Sequence, residues 1–63
     1  MKYYITELHG NDRKILSEHD NLDDALCAGE KYFKELKCTI SCIGANNEDG
    51  KLPNKYKLYK TWF

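Results

Sequence analysis

The sequence predicts a small α+β domain of order ββαββ, in which one helix packs on one face of a mainly antiparallel four-stranded sheet. Its 63 residues leave room for a single domain, 1–63, with one small core. One segment has the apolar spacing of a helix, and four others combine strand-forming residues with flanking turn signals. A helix with one apolar stripe must bury it, and a sheet face is the only large partner in this chain.

The first two strands are predicted to form a hairpin. Residues 2–9 open with two tyrosines, an isoleucine and a threonine, which suit a pleated, half-buried surface. A turn is expected at 10–12, where glycine and asparagine accept positive φ at little cost. Residues 13–19 then form a second short strand around Ile15 and Leu16. Hairpins favour antiparallel pairing between strands that are neighbours in the chain.

The helix is predicted over residues 22–36. Asn21 is its expected N-cap, because this side chain can accept a hydrogen bond from a first-turn N–H. Gly29 costs about 1 kcal/mol of helix stability relative to alanine, so we expect the helix backbone to approach its packing partner closely there. The apolar stripe, with steps of four and three residues, consists of Leu22, Leu26, Gly29, Phe33 and Leu36.

The last two strands are predicted at 38–44 and 55–62, joined by a polar loop over 46–54. The third strand is expected to lie under the helix, because alternation places its small apolar side chains, Cys38, Ile40 and Cys42, on one face. In the fourth strand, strict alternation separates Tyr56, Leu58, Lys60 and Trp62 from Lys57, Tyr59, Thr61 and Phe63.

Composition bears on where the protein acts. No apolar run approaches the roughly 18 residues that a membrane span needs, and the N-terminus has no apolar core of a signal peptide. Three cysteines, an odd number, do not fit a disulfide framework and are expected to be reduced. We therefore expect a cytoplasmic protein with no membrane partner.

The net charge of zero hides an asymmetry between the two halves of the chain. Residues 1–30 have three basic and seven acidic side chains, whereas residues 31–63 have seven basic and three acidic ones. No acidic residue follows Asp49. Such a separation can mark a surface for an anionic partner; alternatively, the two halves neutralise each other in the fold or across a dimer.

Motifs for catalysis or for metal binding are absent from the sequence. It has no Gly-rich phosphate loop, no nucleophile elbow and no histidine pair of the zinc-protease type. Cys38 and Cys42 would lie about 13 Å apart on a strand and could not share one ion. The polar run at 46–50 cannot supply the first and twelfth ligands of a calcium loop. We expect no enzymatic activity, no cofactor and no metal.

The strands contain more aromatic side chains than one small core can use. The sheet face away from the helix has no segment left to cover it, so some rings are expected on that open face. Exposed rings mark an interaction surface, or they simply stabilise a solvated sheet through cross-strand pairs. We expect an interaction module whose partner is a protein or a second copy of the chain. An unpaired edge strand could also extend the sheet in a dimer. The candidate surface consists of Tyr3, Tyr56, Lys57, Tyr59, Lys60 and Trp62.

Single-stranded nucleic acid is the alternative partner. Bases can stack on rings presented by a sheet while lysines neutralise phosphates, and residues 55–62 interleave both residue types. Three features argue against this alternative. The net charge is zero, the chain has one arginine, and no known nucleic-acid-binding signature occurs.

Three stretches of the chain support a family resemblance. They are the opening MKYYI, the helix start NLDDAL and the Lys/Tyr-rich last strand. Together they resemble small accessory proteins encoded in conjugative and other mobile elements of low-GC Gram-positive bacteria. The resemblance spans most of the 63 residues. It implies a bacterial cytoplasmic accessory protein, and it implies neither an activity nor any binding residues.

Overall fold

The computed structural model describes residues 2–46 and 55–63, and in this part of the chain it confirms the ββαββ order. The predicted loop falls largely at 47–54, outside the described residues, as does its Asp49-Gly50 turn. The elements are β1 (Lys2–His9), β2 (Asp12–His19), α1 (Leu22–Leu36), β3 (Ile40–Ala45) and β4 (Lys57–Trp62).

The four strands form one antiparallel sheet in the order β2-β1-β3-β4. The strand order could not be predicted from the sequence. The β1–β2 hairpin turns where predicted, and Gly10 takes a φ of 62° that favours glycine. Because β1 and β3 are central, they contain most of the fully buried strand residues, and β2 and β4 are the two edges.

The ends of α1 are fixed by local hydrogen bonds. The Asp24 backbone N–H donates to Oδ1 of Asn21 at 2.8 Å, which confirms the predicted N-cap. Lys37 adopts the left-handed conformation with φ 54°, and its backbone N–H donates to the Phe33 carbonyl oxygen at 2.9 Å. In the described part of the chain, no helix is long and apolar enough to cross a membrane.

The core between α1 and the sheet is built around the small face of β3. The prediction that Cys38, Ile40 and Cys42 lie under the helix is confirmed. Leu36, the last residue of α1, is 44% exposed, so the predicted stripe is one residue too long. The fully buried members are Ile5, Ala25, Ile40 and Cys42, and Leu22, Leu26 and Phe33 pack against them.

The sheet face opposite the helix, here called the far face, is buried over the central strands β1 and β3, so the expectation of an open face is wrong there. Tyr4, Thr6 and Ile43 are fully buried there, and Ser41 is 1% exposed. Tyr4 is the one strand aromatic among the described residues that alternation places on this face, and it is covered.

Part of the cover comes from Tyr56, immediately before β4. Its ring centroid lies 5.1 Å from Cζ of Arg13, which belongs to β2 at the opposite edge of the sheet. Three strand spacings amount to about 14 Å, so Tyr56 must reach across the far face to make this contact. No sequence pattern indicated the contact, because the two residues are distant in the chain.

A row of polar contacts also crosses the far face. Arg13 Nη1 donates to Oγ1 of Thr6 at 3.2 Å, and Thr6 Oγ1 donates to the Ser41 carbonyl oxygen at 3.4 Å. The Ser41 and Thr61 hydroxyl oxygens are 3.4 Å apart. One residue from each strand takes part, so buried hydroxyls on this face have partners. Among the described residues, no buried side-chain nitrogen or oxygen lacks a hydrogen-bond partner.

Candidate interaction surface at the β4 edge

Two β-bulges decide which way the edge-strand side chains point. In β4, Leu58 pairs with Ile43 and Lys60 pairs with Cys42, so Tyr59 is an extra residue between them. Tyr59 and Trp62 therefore both pack against the helix-side core, and Leu58 lies opposite Ile43 on the far face. The predicted strict alternation along β4 is wrong for this reason.

A similar bulge interrupts β2. Ile5 pairs with Ser17 and Thr6 pairs with Ile15, which leaves Leu16 without a partner across the ladder. Leu16 packs against the helix-side core, and Ile15 packs against the far-face core. Each bulge places two consecutive residues of an edge strand on the same face, Leu16 with Ser17 and Tyr59 with Lys60.

The structure brings five of the six predicted surface residues together on the helix side of the β4 edge. The rings of Tyr3 and Tyr59 meet edge to face, with centroids 5.4 Å apart and an interplanar angle of 67°. Lys57 Nζ lies 5.2 Å from the centroid of the Tyr59 ring, and Lys60 Nζ lies 5.2 Å from that of Trp62. This cluster, Tyr3, Lys57, Tyr59, Lys60 and Trp62, is called the β4 surface below.

The β4 surface is therefore not on the far face, where the aromatic residues were expected. Tyr3, Tyr59 and Trp62 are half-buried and pack against the core that α1 covers. Tyr56, the sixth predicted residue, is separate from them because it lies over Arg13 on the far face. The bulge at Tyr59 is the physical reason for the difference, since a one-residue shift exchanges the faces of a strand.

Trp62 is held directly beneath the helix. A β-carbon added at Gly29 would lie 2.5 Å from Cζ3 and 3.1 Å from Cζ2 of the Trp62 ring, and it would also collide with Cη2. The close approach predicted at Gly29 is thus confirmed, and its partner is the last residue of β4. The ring has the helix backbone at its far end and the Lys60 ammonium over it.

The charge of the β4 surface is entirely positive. Lys55, Lys57 and Lys60 are exposed, and the sequence from residue 51 onward has no acidic side chain. Two large apolar side chains of this segment are exposed: Leu58, 53% exposed, lies on the far face, and Phe63, 93% exposed, follows the end of β4. Lysines on an edge strand oppose pairing with another basic strand and favour a negatively charged one.

A second feature, which no sequence pattern predicted, is an open groove of about 410 Å³ at the C-terminal end of α1. Its lining is mainly apolar and includes two lysines. The lining residues are Phe33, Lys34, Lys37, Cys38, Thr39 and Phe63. One sequence feature could have indicated this groove: the apolar Phe33 is followed within four residues by two lysines.

The thiol in this groove is suited to packing and not to nucleophilic chemistry. Burial raises the pKa of Cys38, and the negative charge of Glu7 and a hydrogen bond to Glu7 raise it further. Glu7 also contacts Nε2 of His9. A thiol with a raised pKa is protonated at neutral pH and is a weak nucleophile. In the residues described, no group of three or more His, Cys, Asp or Glu side chains is arranged to hold a metal ion.

No protein-family model, curated protein or solved structure matches this chain. The resemblance to accessory proteins of mobile elements stays a prediction.

Proposed function

We propose that this protein is a non-enzymatic interaction module that binds an extended acidic segment of a partner protein along β4. The main observation in its support is the composition of this sheet edge. β4 is an edge strand of the described sheet, and the lysines on it and just before it have no acidic neighbour in residues 51–63. Strand addition supplies backbone hydrogen bonds, and the lysines select an acidic sequence.

The aromatic side chains of the β4 surface support the lysines in this role. Lys57 lies over Tyr59 and Lys60 lies over Trp62, so both ammonium groups are positioned by a ring. A positioned cation loses less side-chain entropy on binding than a free one. Charge complementarity then raises the association rate and selects against basic partners.

The same contacts make base stacking the weaker alternative. A base needs an accessible ring face. The Trp62 ring has the Lys60 ammonium over it and the Gly29 backbone at its end. The Tyr59 ring has the Lys57 ammonium over it and packs edge to face with Tyr3. We therefore expect single-stranded nucleic acid to bind more weakly than an acidic peptide.

We also infer that the protein acts in a reducing compartment such as the cytoplasm. Cys27, Cys38 and Cys42 are all free thiols, and Cys27 is exposed. An exposed free thiol persists in reducing conditions and is liable to oxidation outside them.

The test is fluorescence anisotropy with a labelled octapeptide of alternating glutamate and valine. We expect it to bind, and an otherwise identical lysine–valine peptide not to bind. Combining Lys57→Glu with Lys60→Glu should weaken binding by about tenfold or more, because two attractions become repulsions. Lys31→Glu, a single charge reversal at an exposed position on α1, is the control and should leave the affinity within about twofold.

Two results would overturn the proposal. One is equal binding of the acidic and basic peptides, which would leave the lysines without a role. The other is tighter binding of an oligothymidylate than of the acidic peptide, with a steep loss of affinity as salt is added. That second result would establish the nucleic-acid alternative.

A further inference from the structure

The other edge strand, β2, has a charge order unlike that of β4. It begins Asp12-Arg13-Lys14, with a net charge of +1, and it ends in Glu18 and His19, with Asp20 just beyond. Charges that only protect an edge need not be ordered by sign along the strand. Here a basic end is followed by an acidic end, which is the pattern that complements itself when two copies run antiparallel.

We propose that two copies of this protein associate through their β2 strands in an antiparallel, two-fold arrangement. In this register Arg13 lies opposite Glu18 of the partner subunit, and Asp12 lies opposite His19 of the partner subunit. The sheet becomes continuous across the dimer, with eight strands and with one β4 at each outer edge. The inference goes beyond the proposed function because it uses the opposite edge of the sheet.

The faces of the paired side chains agree with this register. Arg13 and Glu18 pair with Leu8 and Tyr4 of β1, so both lie on the far face. Asp12 pairs with His9, and His19 pairs with Tyr3, so Asp12 and His19 both lie on the helix side. In this register the two-fold axis passes through the bulge at Leu16. On each side of the axis, the side chains of paired residues therefore point to the same face of the sheet.

The charged groups that the dimer needs are accessible. The Glu18 side chain is 44% exposed, and its contact with Lys2 Nζ is a loose 3.6 Å. Arg13 is half-buried, with its guanidinium over Tyr56 and Nη1 donating to Thr6; its remaining guanidinium N–H groups are left for a carboxylate. Asp12 is exposed.

The β4 edge offers no comparable self-pairing. Its charged residues are Lys57 and Lys60, so any antiparallel pairing of two β4 strands brings only positive charges together. Like charges across a strand pair are destabilising. The chain therefore has one edge that complements itself and one edge that repels its own copy. This contrast assigns the second copy to β2 and leaves β4 for a different partner.

The test is sedimentation velocity at increasing protein concentration. Edge pairing buries little surface, so we expect a weak dimer whose population grows between about 10 µM and about 1 mM. Glu18→Arg places two arginines opposite each other and should make the protein monomeric throughout. Glu35→Arg, with the same charge change at an exposed position on α1, is the matched control and should dimerise like the wild type.

Mixing supplies the most specific result. Arg13→Glu alone should be monomeric because it opposes two glutamates, and Glu18→Arg alone should be monomeric for the opposite reason. In an equimolar mixture, the glutamate of Arg13→Glu faces the arginine of Glu18→Arg across unlike copies, so we expect a heterodimer where neither variant dimerises alone. A mixture that stays monomeric would contradict the register.

A second measurement does not depend on the folding of any variant. In a sample mixed from differently labelled wild-type protein, intermolecular NOEs should connect Arg13 with Glu18 of the partner subunit. A wild type that is monomeric at about 1 mM would overturn the proposal, as would a dimer that Glu18→Arg leaves unchanged. Intermolecular NOEs confined to residues outside β2 would overturn it as well. None of these results depends on whether β4 binds an acidic peptide.

Discussion

The indole ring of Trp62, the last residue of β4, packs directly against the backbone of α1 at Gly29. The position of a Gly29 β-carbon is occupied by the far end of the indole ring. Trp62 pairs with Ile40 of β3, so the ring connects the helix, the edge strand and the central sheet. The β4 surface depends on this contact, because Lys60 rests over the same ring.

Gly29→Ala should therefore destabilise the protein, even though alanine is the better helix former by about 1 kcal/mol. The indole must move to admit the methyl group, and overpacking of this kind costs about 1–3 kcal/mol. Urea denaturation measures the change, and the emission of Trp62, the sole tryptophan, should shift in the folded state. In a Trp62→Leu background the same substitution should be neutral or stabilising. A Gly29→Ala protein more stable than the wild type would contradict the close contact.

Two leucines on α1 should respond differently to truncation. Leu26→Ala should cost about 2 kcal/mol or more, because Leu26 packs against the fully buried helix-side residues. Leu36→Ala should change stability by less than about 0.5 kcal/mol, because Leu36 is 44% exposed. Thermal and urea unfolding give both values. Equal effects at the two positions would show that the helix packs through a different face.

The ion pair of Lys2 with Asp20 predicts a lowered carboxyl pKa. A hydrogen bond from Lys2, together with its positive charge, holds the pKa of Asp20 below the usual 3.8. The carboxylate therefore stabilises the fold above the unfolded-state pKa, and this contribution is lost as pH falls through the folded-state pKa. Carboxyl-carbon NMR titration should show the pKa of Asp20 returning toward 3.8 in Lys2→Gln and unchanged in Lys31→Gln. An identical Asp20 titration in Lys2→Gln and the wild type would show that Lys2 does not act on this carboxylate.

The reactivity of the Cys38 thiol, in the groove beside α1, tests whether Glu7 raises the pKa of this thiol. Burial and then Glu7 raise the pKa of Cys38 above 9.0, and burial alone raises that of Cys42. Glu7→Gln removes the nearby negative charge, so alkylation of Cys38 should become faster at a given pH. Alkylation of Cys42 should not change, which makes it the internal control. Site-resolved mass spectrometry in a Cys27→Ser background measures both rates. An unchanged pH profile for Cys38 would show that Glu7 does not act on it.

The elements of this fold could be predicted because each is specified locally. The Asn21 cap, the helical spacing and the Gly10 turn depend on neighbours within a few residues, and all three were confirmed. The bulges at Leu16 and Tyr59 could not be predicted, because each depends on the register with another strand. Pattern alone assumes strict alternation, and one extra residue reverses it.

The candidate surface was predicted in part. Residues 57, 59, 60 and 62 come together with Tyr3 because they lie on the helix side of β4, and composition alone marked that segment. Their face was wrong, since the Tyr59 bulge turns the rings toward the helix side. The cover of the far face was missed because the contact of Arg13 with Tyr56 joins residues that only the strand order brings together.

Amide hydrogen exchange along β4 is the decisive measurement for strand addition at this edge. Strand addition pairs the outward backbone N–H groups of residues 57–62 with the ligand, so their exchange should slow by about tenfold or more when the glutamate–valine octapeptide is saturating. The amides of β2 should exchange at their original rates. Unchanged exchange in β4 with the peptide bound, or protection confined to another element, would contradict binding by strand addition at this edge.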